Sequence, residues 1–449
     1  MKRIFALLFA AALSLSLITP AFAASEEAIN AADNLYELGL FSGTGTNADG
    51  TPIYDLDRAP TRHEAVTMLV GLLGKKDEAL SGTWDIPFTD VADWAKPFVG
   101  YAYTNGLTSG TSATTFGGND LISAAQYLTF VLKVLGYEAG TDFQWNKAWE
   151  LSDHIGLTNF GEYGADSTFT RGDVAILSLR TYQLQKTLET APYWGLSEDI
   201  HWISHPTTPE DVTHNILYSF LIGNYELNFP RETGWLHKEK INIQDLSHVY
   251  PDLMGAYANF DTTQYINTTL TPGRPLTSTK YEKRGVSPSL STQEIYGNQL
   301  AALDKALEIK ASLHNSGKIT NGMSELQIAK VYYGYLSKLR LSSSGGRTAA
   351  AQGKSVEYDT AYACLVNQSA DCVGRAAAFN LLMHVEGISA QGVAGSIKGT
   401  DSGHVLSRVV LDGTEYFCNW GSGNSGIYRD ITSWFIFEED SLAMARAAG

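Results

Sequence analysis

The chain has 449 residues and a formal net charge of -16. So large an acidic excess argues against binding to nucleic acid or to an acidic membrane surface, because both need clustered lysine and arginine. Three cysteines are too few for a disulfide scaffold, and no spacing of cysteine and histidine indicates zinc, so we expect neither a metal nor another cofactor.

Residues 1–23 have the pattern of a secretory signal. A basic start at Lys2 and Arg3 precedes an apolar run and a small-residue cleavage pattern that ends at Ala23. The apolar run is too short to span a membrane comfortably, and no later segment is long and apolar enough. We therefore expect a secreted mature chain that begins at Ala24 and has no membrane span.

A weak internal repeat occupies residues 24–186, with units at about 31–76, 86–138 and 142–186. Each unit predicts a helix, a glycine-containing turn, a loop and a second, capped helix. A unit of two helices cannot bury its own apolar face, so the three units are expected to pack together. The turns are Leu38-Gly39-Leu40, Asn105-Gly106-Leu107 and Ile155-Gly156-Leu157, and the capped segments begin at Thr61, Ile122 and Thr170.

These repeats resemble the S-layer homology family, whose triplets attach proteins to secondary polymers of the bacterial cell wall. The resemblance depends on Thr61-Arg62, on Thr170-Arg171, and on Phe88-Thr89-Asp90-Val91 followed by Trp94-Ala95. It implies an all-α module in the cell wall or S-layer of a bacterium. Its partner would be a secondary cell-wall polymer or peptidoglycan.

The resemblance also implies which residues contact the polymer. The family's motif arginine and nearby aromatic residues face an acidic polymer, which here implies Arg62 and Arg171 as charge partners and Trp94 and Trp145 as groove residues. A guanidinium group suits carboxylate or phosphate. Ala124 occupies the arginine position of the second repeat, so at most two of three grooves carry that charge. The alternative is that both arginines only pair with acidic residues of neighbouring repeats.

The middle of the chain gives weaker signals. Residues 187–288 predict an α+β extension or linker domain, in which Thr208-Pro209 begins a helix. Short segments with strand character follow at 225–229, 241–243 and 265–269. The capping boxes at 291–294 and 324–327 then predict two long helices.

The last domain, residues 289–449, contains a helix that begins at Cys372. Ser369 or Asp371 can cap this helix, because a short side-chain oxygen accepts a bond from a free backbone N–H. A thiol in the first helical turn feels the positive end of the helix dipole, which favours the nucleophilic thiolate. Cys372 is therefore placed as a nucleophile would be.

A predicted hairpin supplies two partners for the thiol. Asp412-Gly413 is a strong two-residue turn signal, and its register places His404 and Asn419 on one face as diagonal neighbours. An amide oxygen can orient an imidazole, and an oriented imidazole can accept a thiol proton. The chain order of Cys372, His404 and Asn419 is that of papain-type catalysis.

This region resembles the transglutaminase-like superfamily, although that family usually has Asp where Asn419 stands. The resemblance implies a papain-like α+β fold and thiol acyl transfer on a protein or peptide substrate. Hydrolysis is favoured over cross-linking because water needs no dedicated groove. The residues that carry the resemblance are Cys372, Gly374, Ala376, Phe379, Leu382, Gly387-Ile388, Gly395, His404 and Asp412-Gly413, preceded by Tyr358-Asp359 and Tyr362.

Two functions stay open on the sequence. One is a wall-anchored, cysteine-dependent peptidase or acyltransferase. The other is a non-catalytic wall-binding or S-layer-associated structural protein whose last domain is inactive. In the second case Cys372 is a small buried hydrophobic residue and His404 is structural. A disulfide between Cys364 and Cys418 would leave Cys372 free in either case.

Overall fold

A computed structural model describes residues 24–224, 226–227, 243–254, 279–280, 292–339, 341, 359–400, 403–420 and 423–449. The chain folds as two compact units, the first ending at Gln185 and the second beginning at Lys186. The predicted secretory signal and the predicted strand at 265–269 lie outside the described residues.

The first unit consists mainly of short helices. The three that follow the motif positions begin with capping interactions, because the side chains of Thr61, Ser123 and Thr170 accept backbone N–H groups three residues on. The helices are Glu26–Glu37 (α1), Arg62–Leu72 (α2), Lys76–Ser81 (α3), Lys96–Thr104 (α4), Ala124–Val134 (α5), Ala148–His154 (α6) and Arg171–Leu188 (α7), and Trp145–Lys147 forms a single 3₁₀ turn.

The core of the first unit draws large apolar side chains from all three predicted repeats. Leu35, Leu69, Tyr127 and Leu128 are fully buried. The Tyr127 hydroxyl lies 2.7 Å from Ser178 Oγ, which satisfies a polar group that burial would otherwise penalise. Contacts of this kind join segments that could not bury their own apolar faces.

The all-α expectation for this unit is wrong in one detail. Gly45–Thr46 (β1) pairs antiparallel with Pro52–Ile53 (β2). The connecting turn depends on Gly50, whose φ of +89° is unfavourable for residues with a Cβ. Asp49-Gly50 is a turn signal, but strands of two residues are too short to give an alternating pattern beside it, so the sequence analysis did not predict this hairpin.

The second unit combines helices with a sheet. The predicted strand at 241–243 is wrong at Ile243, where a helix begins. Leu246 and Val249 are buried on one face of that helix. The helices are Pro209–Leu221 (α8), Ile243–Val249 (α9), Pro251–Met254 (α10), Thr292–Asn315 (α11), Glu325–Lys338 (α12), Ala361–Leu365 (α13), Cys372–His384 (α14) and Glu439–Ala447 (α15), and Ala191–Trp194 is a 3₁₀ helix. Glu226–Leu227 (β3) pairs with Thr279–Lys280 (β4).

A five-stranded antiparallel sheet lies at the C-terminal end of the described chain. Its strands are Ala390–Ile397 (β5), Gly403–Leu411 (β6), Thr414–Asn419 (β7), Gly426–Tyr428 (β8) and Phe435–Phe437 (β9), in the order β8-β7-β6-β5-β9. The β6-β7 hairpin has the predicted register, with Leu411 opposite Thr414. Asp412 and Gly413 both have positive φ in the turn, as a type I′ turn requires.

Helix α14 packs against β5 and β6. Asp371, one of the two predicted caps, accepts the N–H groups of Val373 and Gly374. At the other end of the helix, His384 Nδ1 lies 2.9 Å from Asp252 Oδ2, and both side chains are buried. The structure is thus multidomain, with a helical unit followed by an α+β unit, and the transglutaminase-like assignment of the second unit stays a prediction.

Candidate functional site

Two cavities lie on the first unit, and each contains one predicted arginine and one predicted tryptophan. The first has a volume of about 360 Å³, and we call it the Arg62 groove. Its lining is contributed by the start of α2, the loop after α4, helix α5 and the 3₁₀ turn after it. The residues are Arg62, Leu107, Thr108, Ser109, Gly110, Thr111, Gln126, Thr129, Phe130, Lys133 and Trp145.

Arg62 is deeply placed at the base of this groove. Only 7% of its surface is exposed, and its guanidinium carbon lies 4.9 Å from the centre of the Phe116 ring. Nη2 donates to the carbonyl oxygen of Ser109 at 2.8 Å and to Thr108 Oγ1 at 3.4 Å. Burial lowers its pKa, and the opposing effect of Asp120 is smaller. Among the described residues, no carboxylate forms an ion pair with Arg62.

The second cavity has a volume of about 450 Å³, and we call it the Arg171 groove. It is formed by the start of α7, the loop after α1, helix α2 and the segment before α4. Arg171 is 3% exposed, so it is buried as deeply as Arg62. The charged and aromatic residues that line it are Phe41, Arg58, Glu64, Lys76, Trp94, Phe98 and Arg171.

Arg171 differs from Arg62 in its polar contacts. Its Nε donates to the carbonyl oxygen of Tyr54 at 2.8 Å, and its Nη1 lies 3.6 Å from Glu64 Oε1. Glu64 in turn accepts a hydrogen bond of 2.9 Å from Arg58 Nη1. The Arg58 hydrogen bond is the main reason why the pKa of Glu64 falls to about 2. Glu64 is therefore ionised at neutral pH and lies between two arginines.

Neither Glu64 nor Lys133 was predicted from the sequence to line a groove. Glu64 does serve in the capping box, and its second contact, with an arginine from a distant repeat, has no local signal. Lys133 lines the Arg62 groove, and its Nζ donates to the carbonyl oxygen of Gly106. Its place in the groove depends on how two repeats pack.

The two tryptophans are the most exposed large groups at these grooves. Trp94 is 55% exposed and Trp145 is 58% exposed. The Trp94 ring meets His63 edge to face, with ring centres 5.7 Å apart. A flat ring with one free face can stack on a sugar ring or another planar group. Each groove thus combines a buried cation with an accessible aromatic surface.

The second capped helix, α5, lacks the arginine found at the start of α2 and α7. Ala124 is the first residue of α5, the position that Arg62 and Arg171 occupy in α2 and α7. Farther along α7, Arg180 Nη1 donates to both carboxylate oxygens of Glu162 at 2.9 Å, and Nη2 donates to Glu27 Oε1 at 2.7 Å. Arg180 is therefore paired with two carboxylates.

Residues 87–128 match the model of the S-layer homology domain. The chain contains an S-layer homology domain. The match lies within the second predicted repeat and includes Trp94 and Ala124. The first and third repeats stay predictions.

Several curated proteins are similar to this chain. The Middle cell wall protein of Brevibacillus brevis is 26% identical over 264 residues, which is 55% of this chain and 23% of that protein. The Cell surface protein of Thermoanaerobacter kivui is 29% identical over 187 residues, 40% of this chain and 24% of that protein. The Surface layer protein of Brevibacillus choshinensis is 25% identical over 262 residues, 55% of this chain and 21% of that protein.

The chain thus spans less than a quarter of the length of each of these three relatives. The S-layer homology domain and the relatives together indicate a location at the cell wall or S-layer surface. Within the described ranges, no helix has the length and apolar character needed to cross a membrane. The same residues contain no cluster of His, Cys, Asp and Glu able to hold a metal ion.

The predicted nucleophile lies in the second unit, at the first residue of α14. The Cys372 side chain is half-buried and packs against a small apolar cluster that includes Ala376, Ala394 and Val405. Burial raises the pKa of its thiol to about 11, and the neighbouring Asp371 charge adds to this effect. The helix dipole therefore does not produce a thiolate at neutral pH, because desolvation outweighs it. The other two cysteines are buried and unpaired.

His404 and Asn419 are brought together, as the hairpin register predicts. His404 Nε2 donates to Asn419 Oδ1 at 2.7 Å, and both side chains are buried. Asn419 is itself oriented, because its Nδ2 donates to the carbonyl oxygen of Asn424 at 2.8 Å. With the proton on Nε2, the His404 Nδ1 atom is left as the basic nitrogen.

Cys372 and His404 approach β6 from opposite sides. Val405, the residue after His404, packs with Cys372 beneath α14, and its N–H bonds to the thiol. Side chains alternate along a strand, so the His404 side chain points to the other face, where its ring lies 6.3 Å from that of Phe435. Among the described residues, no hydrogen bond joins the Cys372 thiol to the His404 ring.

Proposed function

We propose that this protein is a cell-surface structural protein that is held to the cell wall by its S-layer homology module. The observation that carries the proposal is the pair of grooves in which a buried arginine lies beside an exposed tryptophan. The names of the relatives, which describe cell-wall, cell-surface and surface-layer proteins, support the same function.

Charge explains why binding is confined to the grooves. The chain carries a net charge of -16, so most of its surface repels an acidic polymer. The Arg62 groove carries two cationic side chains and the Arg171 groove three, with one carboxylate. A carboxylate or phosphate on a wall saccharide can accept guanidinium hydrogen bonds while a sugar ring stacks on tryptophan.

Sedimentation of the full chain with purified bacterial cell walls tests this proposal. We expect the parent chain to sediment with walls that keep their secondary polymer and to stay in solution with walls from which the polymer has been extracted. The double variant Arg62→Ala, Arg171→Ala should lose most of this binding. Arg446→Ala, which removes a surface cation outside both grooves, is the control and should bind as the parent does. Undiminished binding by the double variant would rule out the grooves as the contact.

We propose thiol acyl transfer by Cys372, His404 and Asn419 as a second candidate function. One observation favours it, namely the hydrogen bond from His404 Nε2 to Asn419 Oδ1. This bond orients the ring and leaves Nδ1 as its basic nitrogen. In this proposal Cys372 loses its proton to His404 and attacks a peptide or carboxamide carbonyl, while Asn419 orients the ring. The C–N bond breaks, the amine or ammonia leaves with the proton from His404, and water or an amine then cleaves the Cys372 thioester. The present side-chain arrangement does not join thiol and ring, so substrate binding would have to bring them together.

The second candidate is tested by incubating the full chain with a glutamine-containing peptide, with and without a primary amine. Ammonia release or amine incorporation that disappears in Cys372→Ala and in His404→Ala would support it. Asn419→Asp is the informative control, because a carboxylate also orients an imidazole and should preserve activity. No turnover by the parent chain on peptides or on wall fragments leaves the structural function as the better account.

A further inference from the structure

The sequence contains the same three residues, Thr-Asn-Gly, at two positions. They are Thr104-Asn105-Gly106 in the first unit and Thr320-Asn321-Gly322 in the second, and an apolar residue follows each. Asparagine before glycine is chemically labile, because the glycine backbone nitrogen can attack the side-chain amide carbon and no Cβ obstructs it. The local sequences match and both copies are exposed, so a difference in their reactivity must come from the fold.

Hydrogen bonds restrain both reacting groups at Asn105. Asn105 is the C-cap of α4, and its side-chain Nδ2 donates to the carbonyl oxygen of Tyr101 at 2.8 Å. The Gly106 N–H donates to the carbonyl oxygen of Tyr103 at 3.0 Å. Both bonds would have to break before the glycine nitrogen could attack, which means that the last turn of α4 would have to open.

The reacting groups at Asn321 are not restrained in this way. Their turn joins α11 to α12 and is closed by a bond of 3.2 Å from the Met323 N–H to the carbonyl oxygen of Thr320. Within the described part of the chain, neither the Asn321 side chain nor the Gly322 N–H forms a hydrogen bond. Gly322 has a φ of +95°, and no heavy atom lies within 4 Å of the position a Cβ would take. Attack can therefore begin without either reacting group first losing a hydrogen bond.

The two Asp-Gly steps of the chain, which could form the same cyclic intermediate, are restrained like Asn105. Asp49 Oδ1 accepts the Thr51 N–H at 3.0 Å. Both carboxylate oxygens of Asp412 accept N–H groups at the start of α12. Of the four Asn-Gly and Asp-Gly steps, Asn321-Gly322 is thus the one in which no described residue holds either reacting group.

We propose that Asn321 is a site of spontaneous deamidation in the folded protein, and that the fold protects Asn105. The Gly322 nitrogen bonds to Asn321 Cγ, and the side-chain nitrogen leaves as ammonia with the proton lost by Gly322. Water then opens the resulting succinimide at either carbonyl, which gives aspartate or isoaspartate at position 321. Each product adds a negative charge, and isoaspartate also lengthens the main chain by a methylene just before Ser324, the N-cap of α12.

Incubation of the full chain at mildly alkaline pH, followed by timed peptide mapping, tests this proposal. Mass spectrometry gives the fraction of each Asn-Gly step in which the amide has become a carboxyl group. Asn321 should react at least about tenfold faster than Asn105, because two hydrogen bonds must break first at Asn105. Equal rates, or a faster reaction at Asn105, would overturn the proposal.

The same measurement in concentrated urea shows whether the fold causes the difference. The two copies should then react at rates within about twofold of each other, because unfolding removes the hydrogen bonds of Asn105. A difference of the original size that persisted in urea would belong to the neighbouring sequence and would contradict the proposal.

Asn321→Gln is the matched variant. It keeps an exposed amide but places the amide carbon one bond farther from the Gly322 nitrogen, so the fast product should disappear. Because the side chain lies in an exposed turn, Tm should stay that of the parent. A product that formed at the parent rate in this variant would come from another residue and would refute the assignment to Asn321.

Discussion

His404 Nε2 donates to Asn419 Oδ1 at 2.7 Å, whereas the thiol of Cys372 lies under the opposite face of the same strand. The predicted pair of His404 and Asn419 is therefore formed, and within the described chain Cys372 is not hydrogen-bonded to it. Orientation of the imidazole by an amide oxygen is present, and among the described residues no hydrogen bond joins the thiol to the ring. The reactivity of the thiol therefore decides between the two candidate functions.

We predict that Cys372 behaves as an ordinary buried thiol. Because its pKa is raised to about 11, its alkylation rate by iodoacetamide should rise about tenfold per pH unit between neutral pH and pH 10. The rate should be the same in His404→Ala, which removes no partner of the thiol. Mass spectrometry after timed labelling gives both rates. A plateau that begins near pH 6 and disappears in His404→Ala would indicate a thiolate–imidazolium pair and would favour the enzymatic candidate.

Glu64 gives a pH-dependent prediction in the first unit. Its pKa is lowered from 4.5 to about 2, so its stabilising contribution is present above pH 4.5 and is lost as the pH falls through 2. Glu64→Gln keeps the capping-box geometry and removes the charge. It should lower the free energy of unfolding by about 1–2 kcal/mol at pH 7, since solvent screens the half-exposed Arg58, and by little near pH 2.

Urea unfolding at several pH values measures this difference. Glu78→Gln is a matched control, because the Glu78 side chain forms an exposed ion pair with Lys75. Its effect should stay below about 0.5 kcal/mol at every pH. A pH-independent loss in Glu64→Gln would mean that shape, and not charge, accounts for the contribution of Glu64.

Local signals in the sequence predict the helix starts and the hairpin correctly. Thr61 and Asp371 cap the helices that follow them, and Asp412-Gly413 sets the register that brings His404 to Asn419. Each of these depends on bonds between residues that are close along the chain. Such bonds do not depend on how distant segments of the chain pack.

Packing between distant segments is what the sequence could not reveal. Alternation places His404 and Asn419 on one face of the hairpin, but it does not indicate which face α14 covers. The structure places α14 over Val405, so the Cys372 thiol packs against the residue that follows His404. The pairing of Arg180 with Glu27 likewise joins residues far apart in the chain, so no local sequence pattern predicts it.

The cap of α14 makes a prediction that separates stability from thiol chemistry. Asp371→Ala should lower stability by about 1 kcal/mol, because it removes the acceptor for the N–H groups of Val373 and Gly374. Asp371→Asn keeps an acceptor and should cost much less. It also removes a negative charge that raises the pKa of Cys372, so its alkylation profile should move to lower pH. Urea unfolding and timed labelling of the same three proteins test both effects, and equal destabilisation by Ala and Asn would contradict the cap.

The turn between β6 and β7 provides a test of the hairpin that positions His404 and Asn419. Gly413 has a φ of +73°, and no heavy atom lies within 4 Å of the position a Cβ would take. Gly413→Ala should therefore cost about 1–2 kcal/mol from backbone strain alone. Gly403, at the start of β6, also has open space around it but no positive φ, so Gly403→Ala is a matched control that should be nearly neutral. If urea unfolding showed equal effects for the two alanines, the left-handed turn would not be the source of the cost.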